Sequence, residues 1–90
     1  MIKNHRVYYF HQAVKYGGIR NAADMLDVAP SAVSRQITLL EKELKVSLLE
    51  KNLRGAIPTD AGKLVLQYFQ QTLEHEEDLI ASLSSLQGLD

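Results

Sequence analysis

Apolar residues recur at helical spacing in four stretches of the chain, separated by short polar or glycine- and proline-containing breaks. In the first stretch, residues 3–16, Val7, Phe10, Ala13 and Val14 fall on one face, which Tyr8 or Tyr9 widens. Asn4 is a candidate cap, and Gly17-Gly18 supplies a stop. A short second helix is expected over about 20–27, where Ala22, Ala23 and Leu26 share a side small enough for close packing. Residues 28–30, Val-Ala-Pro, then break the pattern: Pro30 suits a first helical turn and holds Ala29 extended before it. A third helix follows over about 31–44, with Val33, Ile37, Leu40 and Leu44 at steps of four, three and four.

From 46 to 58 the apolar steps are short and interrupted by charge. Val46 to Leu49 and Ala56-Ile57 are expected to form a small antiparallel hairpin or two extended arms, a wing whose tip runs from Asn52 to Gly55. Thr59 is a good N-cap with Asp60 in the first turn behind it. The stripe Leu66, Phe69, Leu73, Ile80, Leu83 then carries one long helix to about residue 86. From Thr59 that is about 42 Å at 1.5 Å per residue, longer than a small three-helix core can cover. A second copy of the same helix is the simplest further partner, although Glu76 and Glu77 interrupt a clean heptad.

The gap between the second and third helices is only three or four residues. An initial helix, then a short helix, a tight turn and another helix is the helix-turn-helix arrangement, whose later helix can enter a major groove. Generic three-helix packing has the same periodicity. Pattern alone therefore leaves DNA binding and protein–protein packing level.

Charge shifts that balance. The total of −1 hides two unlike parts: ten basic residues against six acids through residue 63, a net of +4, then no base and five acids, a net of −5. Such asymmetry suits a head that meets a polyanion and a tail that stays in solvent or against protein. Ninety residues suggest a single small fold with little room for a deep pocket, so a cofactor enzyme is not expected. The chain has no cysteine, which removes disulfides and thiolate metal sites. No apolar run approaches the ~18 residues of a membrane span, so a cytoplasmic location is expected. His5, His11 and His75 stand apart from any nucleophile or ligand set, and His5 and His11 are spaced by neither three nor four residues. Glu74 to Asp78 reads as a solvated acidic face, and no glycine-rich phosphate loop is present. No enzyme activity, cofactor or metal is expected.

Linked features in one order narrow the reading further. They are Tyr9-Phe10 and Ala13-Val14, Gly17, Ala22-Ala23-x-x-Leu26, Val28 through Ser34-Arg35-Gln36-Ile37, Leu40-Glu41-x-x-Leu44-x-Val46-x-Leu48, and Thr59-x-Ala61-Gly62. Together they resemble the N-terminal DNA-binding domain of LysR-type transcriptional regulators, from about Val7 to Leu83. The resemblance implies a mainly α fold, a winged helix-turn-helix with a small β wing and a long C-terminal linker helix that pairs two copies. Residues 1–58 would be the DNA-binding domain and 59–90 the linker/dimerisation helix with a short tail. A larger effector-binding domain, usual in the family, is absent from these 90 residues.

The resemblance implies a sequence-specific, double-stranded DNA-binding regulator acting as a homodimer on an imperfect inverted repeat, in the bacterial cytoplasm and on the nucleoid. Its DNA-facing positions are Pro30, Ser31, Ala32, Ser34, Arg35 and Thr38 on the third helix, with Lys51, Arg54 and Gly55 in the wing. Arg35 can donate to guanine or grip a phosphate; its bland alternative is a solvated arginine pairing with Glu41 or another acid. Ser31 is placed to cap the helix as well as to touch phosphate. Lys51, Lys42 and Arg20 are weaker phosphate candidates, since simple solvation explains them almost as well. Leu66, Phe69, Leu73, Ile80 and Leu83 make the dimerisation stripe, with Leu66 and Phe69 also able to flank the core. The chain departs from the family in having Ala29-Pro30-Ser31 where Ser-Gln-Pro is usual, which loses a capping hydroxyl and a glutamine that in the family often reads or contacts DNA. It also has Lys45 for a glycine, Leu49 for a phenylalanine, Lys51 for an arginine and Pro58 for a leucine. A protein-interaction or dimerisation module with weak DNA binding is the alternative function.

Overall fold

The computed structural model describes residues 4–51 and 54–88, and shows four helices: α1 (Asn4–Lys15), α2 (Ile19–Leu26), α3 (Pro30–Leu44) and α4 (Asp60–Leu86). Lys3, where the first helix was expected to open, and Asn52 and Leu53 of the expected wing lie outside the described residues.

The first three helices pack on one another, and α4 contacts only α1 among the helices. Their apolar faces meet in a core of Val7, Phe10, Ala13, Ala22, Ala23, Val33, Ile37 and Leu40, which Leu48 and Ala56 close from the following loop. Periodicity explains most of this: Val7, Phe10 and Ala13 of α1 and Val33, Ile37 and Leu40 of α3 are buried at three- and four-step spacing, while α2 buries the adjacent Ala22 and Ala23 and α1 also buries Gln12.

The breaks obey backbone chemistry. α1 stops where Gly17 takes φ 76°, letting Gly17 N–H donate to Val14 O at 3.2 Å and Gly18 N–H to Ala13 O at 2.9 Å. α2 ends the same way on Asp27 (φ 57°), and Val28 N–H reaches back to Ala23 O at 3.0 Å. α3 begins with Pro30 at its first position and Ala29 extended at the N-cap, where no side chain caps the helix. Ser31 is therefore not the cap. α3 ends on Lys45, also left-handed at φ 60°.

The expected β wing requires correction. Among the described residues there is no β-strand; the segment between α3 and α4 holds one isolated antiparallel bridge, Leu49 with Pro58. Two backbone hydrogen bonds flank it, Glu50 N–H to Ile57 O at 2.8 Å and Thr59 N–H to Leu48 O at 3.0 Å. A ladder cannot grow past them toward the helices because its next partners are taken. Leu48 N–H donates to Glu41 Oε2 at 2.8 Å, and Thr59 O accepts Lys63 N–H at 2.9 Å as α4 begins. The chain is thus a mainly α, four-helix arrangement with a pinched loop in place of a β wing.

Thr59 caps α4 as its sequence position predicts. Its Oγ1 accepts Gly62 N–H at 3.0 Å and donates to Ser47 O at 2.6 Å, so one hydroxyl both starts α4 and ties it to the loop. Gly62 is the one buried residue of α4, and a Cβ there would run into Leu48 O, 3.1 Å from Phe10 Cζ and from Pro58 Cβ. Beyond that point α4 leans on α1 through Phe69, whose ring centroid lies 4.6 Å from that of His11 and 6.5 Å from that of Tyr8. It then projects away, giving extents of 52 × 28 × 19 Å.

Candidate nucleic-acid interface

The turn between α2 and α3 is three residues long, and the side of α3 opposite the core is open. Val33, Ile37 and Leu40 point inward, so Ser31, Ser34, Arg35, Thr38 and Lys42 line the outer side at steps of three, one, three and four. All five are exposed, as is Pro30, while Ala32 is half-buried. The outer face offers three hydroxyls, a guanidinium and an ammonium. Among the described residues Arg35 makes no ion pair; the Glu41 that was its alternative partner turns instead to the Leu48 amide.

The pinched loop stands beside this face. Lys51, Arg54 and Gly55 are exposed on it. Gly55 takes φ 78°, and a Cβ there would lie 2.8 Å from Gly17 O, so the loop rests directly on the turn that ends α1. This close approach sets where Arg54 is carried relative to α2 and α3. Thr38 and Lys51 share a concave surface with Glu41, Lys42, Lys45, Val46 and Ser47.

The expected dimerisation stripe divides along α4. Leu66 and Phe69 are half-buried against the intrachain core, whereas Leu73, Ile80 and Leu83 are exposed. Sequence reading missed Leu64, Tyr68, Leu79 and Leu86, which are also exposed on α4. Their common side at positions 64, 68, 79 and 86 was legible as a second helical stripe, shifted from the first. Among the described residues no set of three or more His, Asp or Glu is placed to hold a metal ion, and no helix is long and apolar enough to cross a membrane.

Residues 5–63, which hold the three-helix core, the turn and the pinched loop, match the model of the bacterial regulatory helix-turn-helix proteins of the lysR family. The chain belongs to the lysR family. This is a family of non-enzymatic transcription factors. The lysR-family chain is 39% identical over 72 residues to the nitrogen assimilation regulatory protein nac of Escherichia coli (strain K12), covering 80% of this chain and 24% of that protein. Its fold is similar to that of the BenM DBD in complex with catB site 1 DNA, with a TM-score of 0.85 and 29% identity, covering 99% of this chain and 97% of that one. The CbnR DBD–DNA complex is similar at a TM-score of 0.81 and 28% identity, covering 94% and 98%. The chain spans about a quarter of the length of the curated lysR-type relatives it matches.

Proposed function

We propose that the chain binds double-stranded DNA sequence-specifically, as a homodimer, in the service of transcriptional regulation in the bacterial cytoplasm. The observation that carries this reading is the outer face of α3, where Ser31, Ser34, Arg35 and Thr38 are exposed immediately after a three-residue turn from α2. A helix so presented fits a major groove, and its side chains suit both base edges and phosphates. Arg35 is the principal base-reading or phosphate-gripping group. Pro30 and Ala32 allow close approach, and Ser31, Ser34 and Thr38 supply hydroxyls. Lys51, Arg54 and Gly55 meet the adjoining backbone or minor groove.

In this proposal residues 1–58 form the DNA-binding domain and 59–90 the dimerisation helix with its tail. The exposed Leu73, Ile80 and Leu83, continuing the line of Leu66 and Phe69, support pairing of two copies through α4. A twofold pair presents two α3 helices, so the target is an imperfect inverted repeat. That the similar BenM and CbnR DBD structures are DNA complexes supports the same partner for this chain.

Selection of duplexes from a randomised pool by the folded chain tests the proposal. Enrichment of an imperfect inverted repeat is the expected result. A pool that stays random over repeated rounds contradicts sequence-specific binding.

A further inference from the structure

The outer line of α3 does not stop at Thr38. Lys42 extends it by one turn, and Lys45 follows at the helix end, with Lys51 facing them from the loop across an open concavity of about 380 Å³. Glu41 also lines it, but one of its carboxylate oxygens accepts the Leu48 amide, which leaves three lysines and one tethered acid around the opening. The concavity stands open along its side, so it fits an extended strand running past better than an enclosed metabolite.

Lys45 is the telling member. Of the two non-glycine residues with positive φ among those described, Asp27 is of a kind whose short polar side chain tolerates that conformation, whereas Lys45 is not. A lysine at φ 60° is held against its own backbone preference. The favourable effect of a cation at a helix C-terminus accounts for Lys42 in the last turn of α3. It does not account for Lys51, which belongs to a different segment.

We infer that Lys42, Lys45 and Lys51 form a phosphate-gripping cradle for the duplex backbone that flanks the groove entered by α3. This inference rests on the DNA-binding reading above and adds contacts outside the base-reading face. Lys42 and Lys45 lie seven and ten residues beyond Arg35, about 10 and 15 Å further along the axis, past the N-terminal part of a recognition helix that meets base edges in this kind of motif.

The test is a salt series of binding to a mixed-sequence DNA duplex by the full chain and by Lys42→Gln, Lys45→Gly, Lys51→Gln and the triple variant. Lys15→Gln, on α1 and away from the cradle, controls for net charge. Each cradle lysine should contribute about 0.9 to the slope of log K against log salt, equivalent to about a threefold change in affinity over a fourfold salt interval. The triple variant should lose between two and three units of slope. Lys45→Gly should melt at a higher temperature while binding the duplex more weakly, because glycine adopts the left-handed conformation freely. Loss in the cradle variants no greater than in Lys15→Gln, with the wild-type chain binding well, overturns the cradle alone. A folded wild-type chain that binds no duplex at low salt overturns the DNA-binding reading and the cradle with it.

Discussion

Arg35 and Val33 stand two positions apart on α3 and leave it in different directions, one into solvent and one into the core. Arg35→Ala should therefore leave the melting temperature nearly unchanged while weakening binding to a selected site by about 1–3 kcal/mol. Titration of that site alongside a melt checks both halves, and wild-type affinity in the folded variant rejects the role given to Arg35. Two other residues test the frame that holds α3. Ala29 already has the extended backbone of an N-cap but no capping oxygen, so Ala29→Ser should add about 1 kcal/mol of stability. That corresponds to a rise in Tm of roughly 4–8 °C at fixed protein concentration. Gly62→Ala should do the reverse. Its methyl would meet the Leu48 carbonyl and the side chains of Phe10 and Pro58, an overpacking that costs about 1–3 kcal/mol. A Gly62→Ala variant as stable as wild type in denaturant would mean that the start of α4 shifts freely on the loop.

At the scale of elements, α1 and α3 were legible because burial in them largely follows the spacing of their apolar residues, as Val33, Ile37 and Leu40 illustrate. Thr59 was legible for a local reason, a hydroxyl three residues before the amide it caps. The loop between α3 and α4 was not. Whether its two arms form strands depends on where the Leu48 amide goes, and it goes to Glu41, a side chain on the preceding helix that apolar alternation does not register. The left-handed backbone at Lys45 is likewise invisible in residue type, since lysine gives no signal for it. The division of the α4 stripe has a tertiary origin: His11 and Tyr8 of α1 meet Phe69, whereas Ile80 and Leu83 are exposed. Of the positions proposed to face DNA, the outer side of α3 could be read as a face from the burial of the other side, whereas the concavity joining Lys42, Lys45 and Lys51 required the path of the loop. The unburied stripe carries its own expectation. Ile80→Asp or Leu83→Asp should lower the dimer fraction in sedimentation without unfolding the head, because neither side chain belongs to the core. An unchanged dimer population would move the seam elsewhere on α4.

For the whole molecule, the separation of charge gives salt two opposite effects. The head through residue 63 carries +4, so its grip on a polyanion should weaken as salt rises. The remaining residues carry −5 and include Glu74, Glu76, Glu77 and Asp78 on α4, so pairing of two such helices should strengthen as salt screens their repulsion. Sedimentation at low and high salt without DNA checks the second effect; a dimer fraction that falls with salt would contradict pairing through the acidic helix. The first effect bears most directly on the central proposal, that the chain is a DNA-binding protein. Its measurement is equilibrium titration of a labelled duplex with the folded 90-residue chain across a series of salt concentrations. Saturable binding at low salt, with log K falling linearly against log salt, is the predicted result. No saturable binding at the lowest salt, in a chain shown to be folded and self-associated, would contradict it.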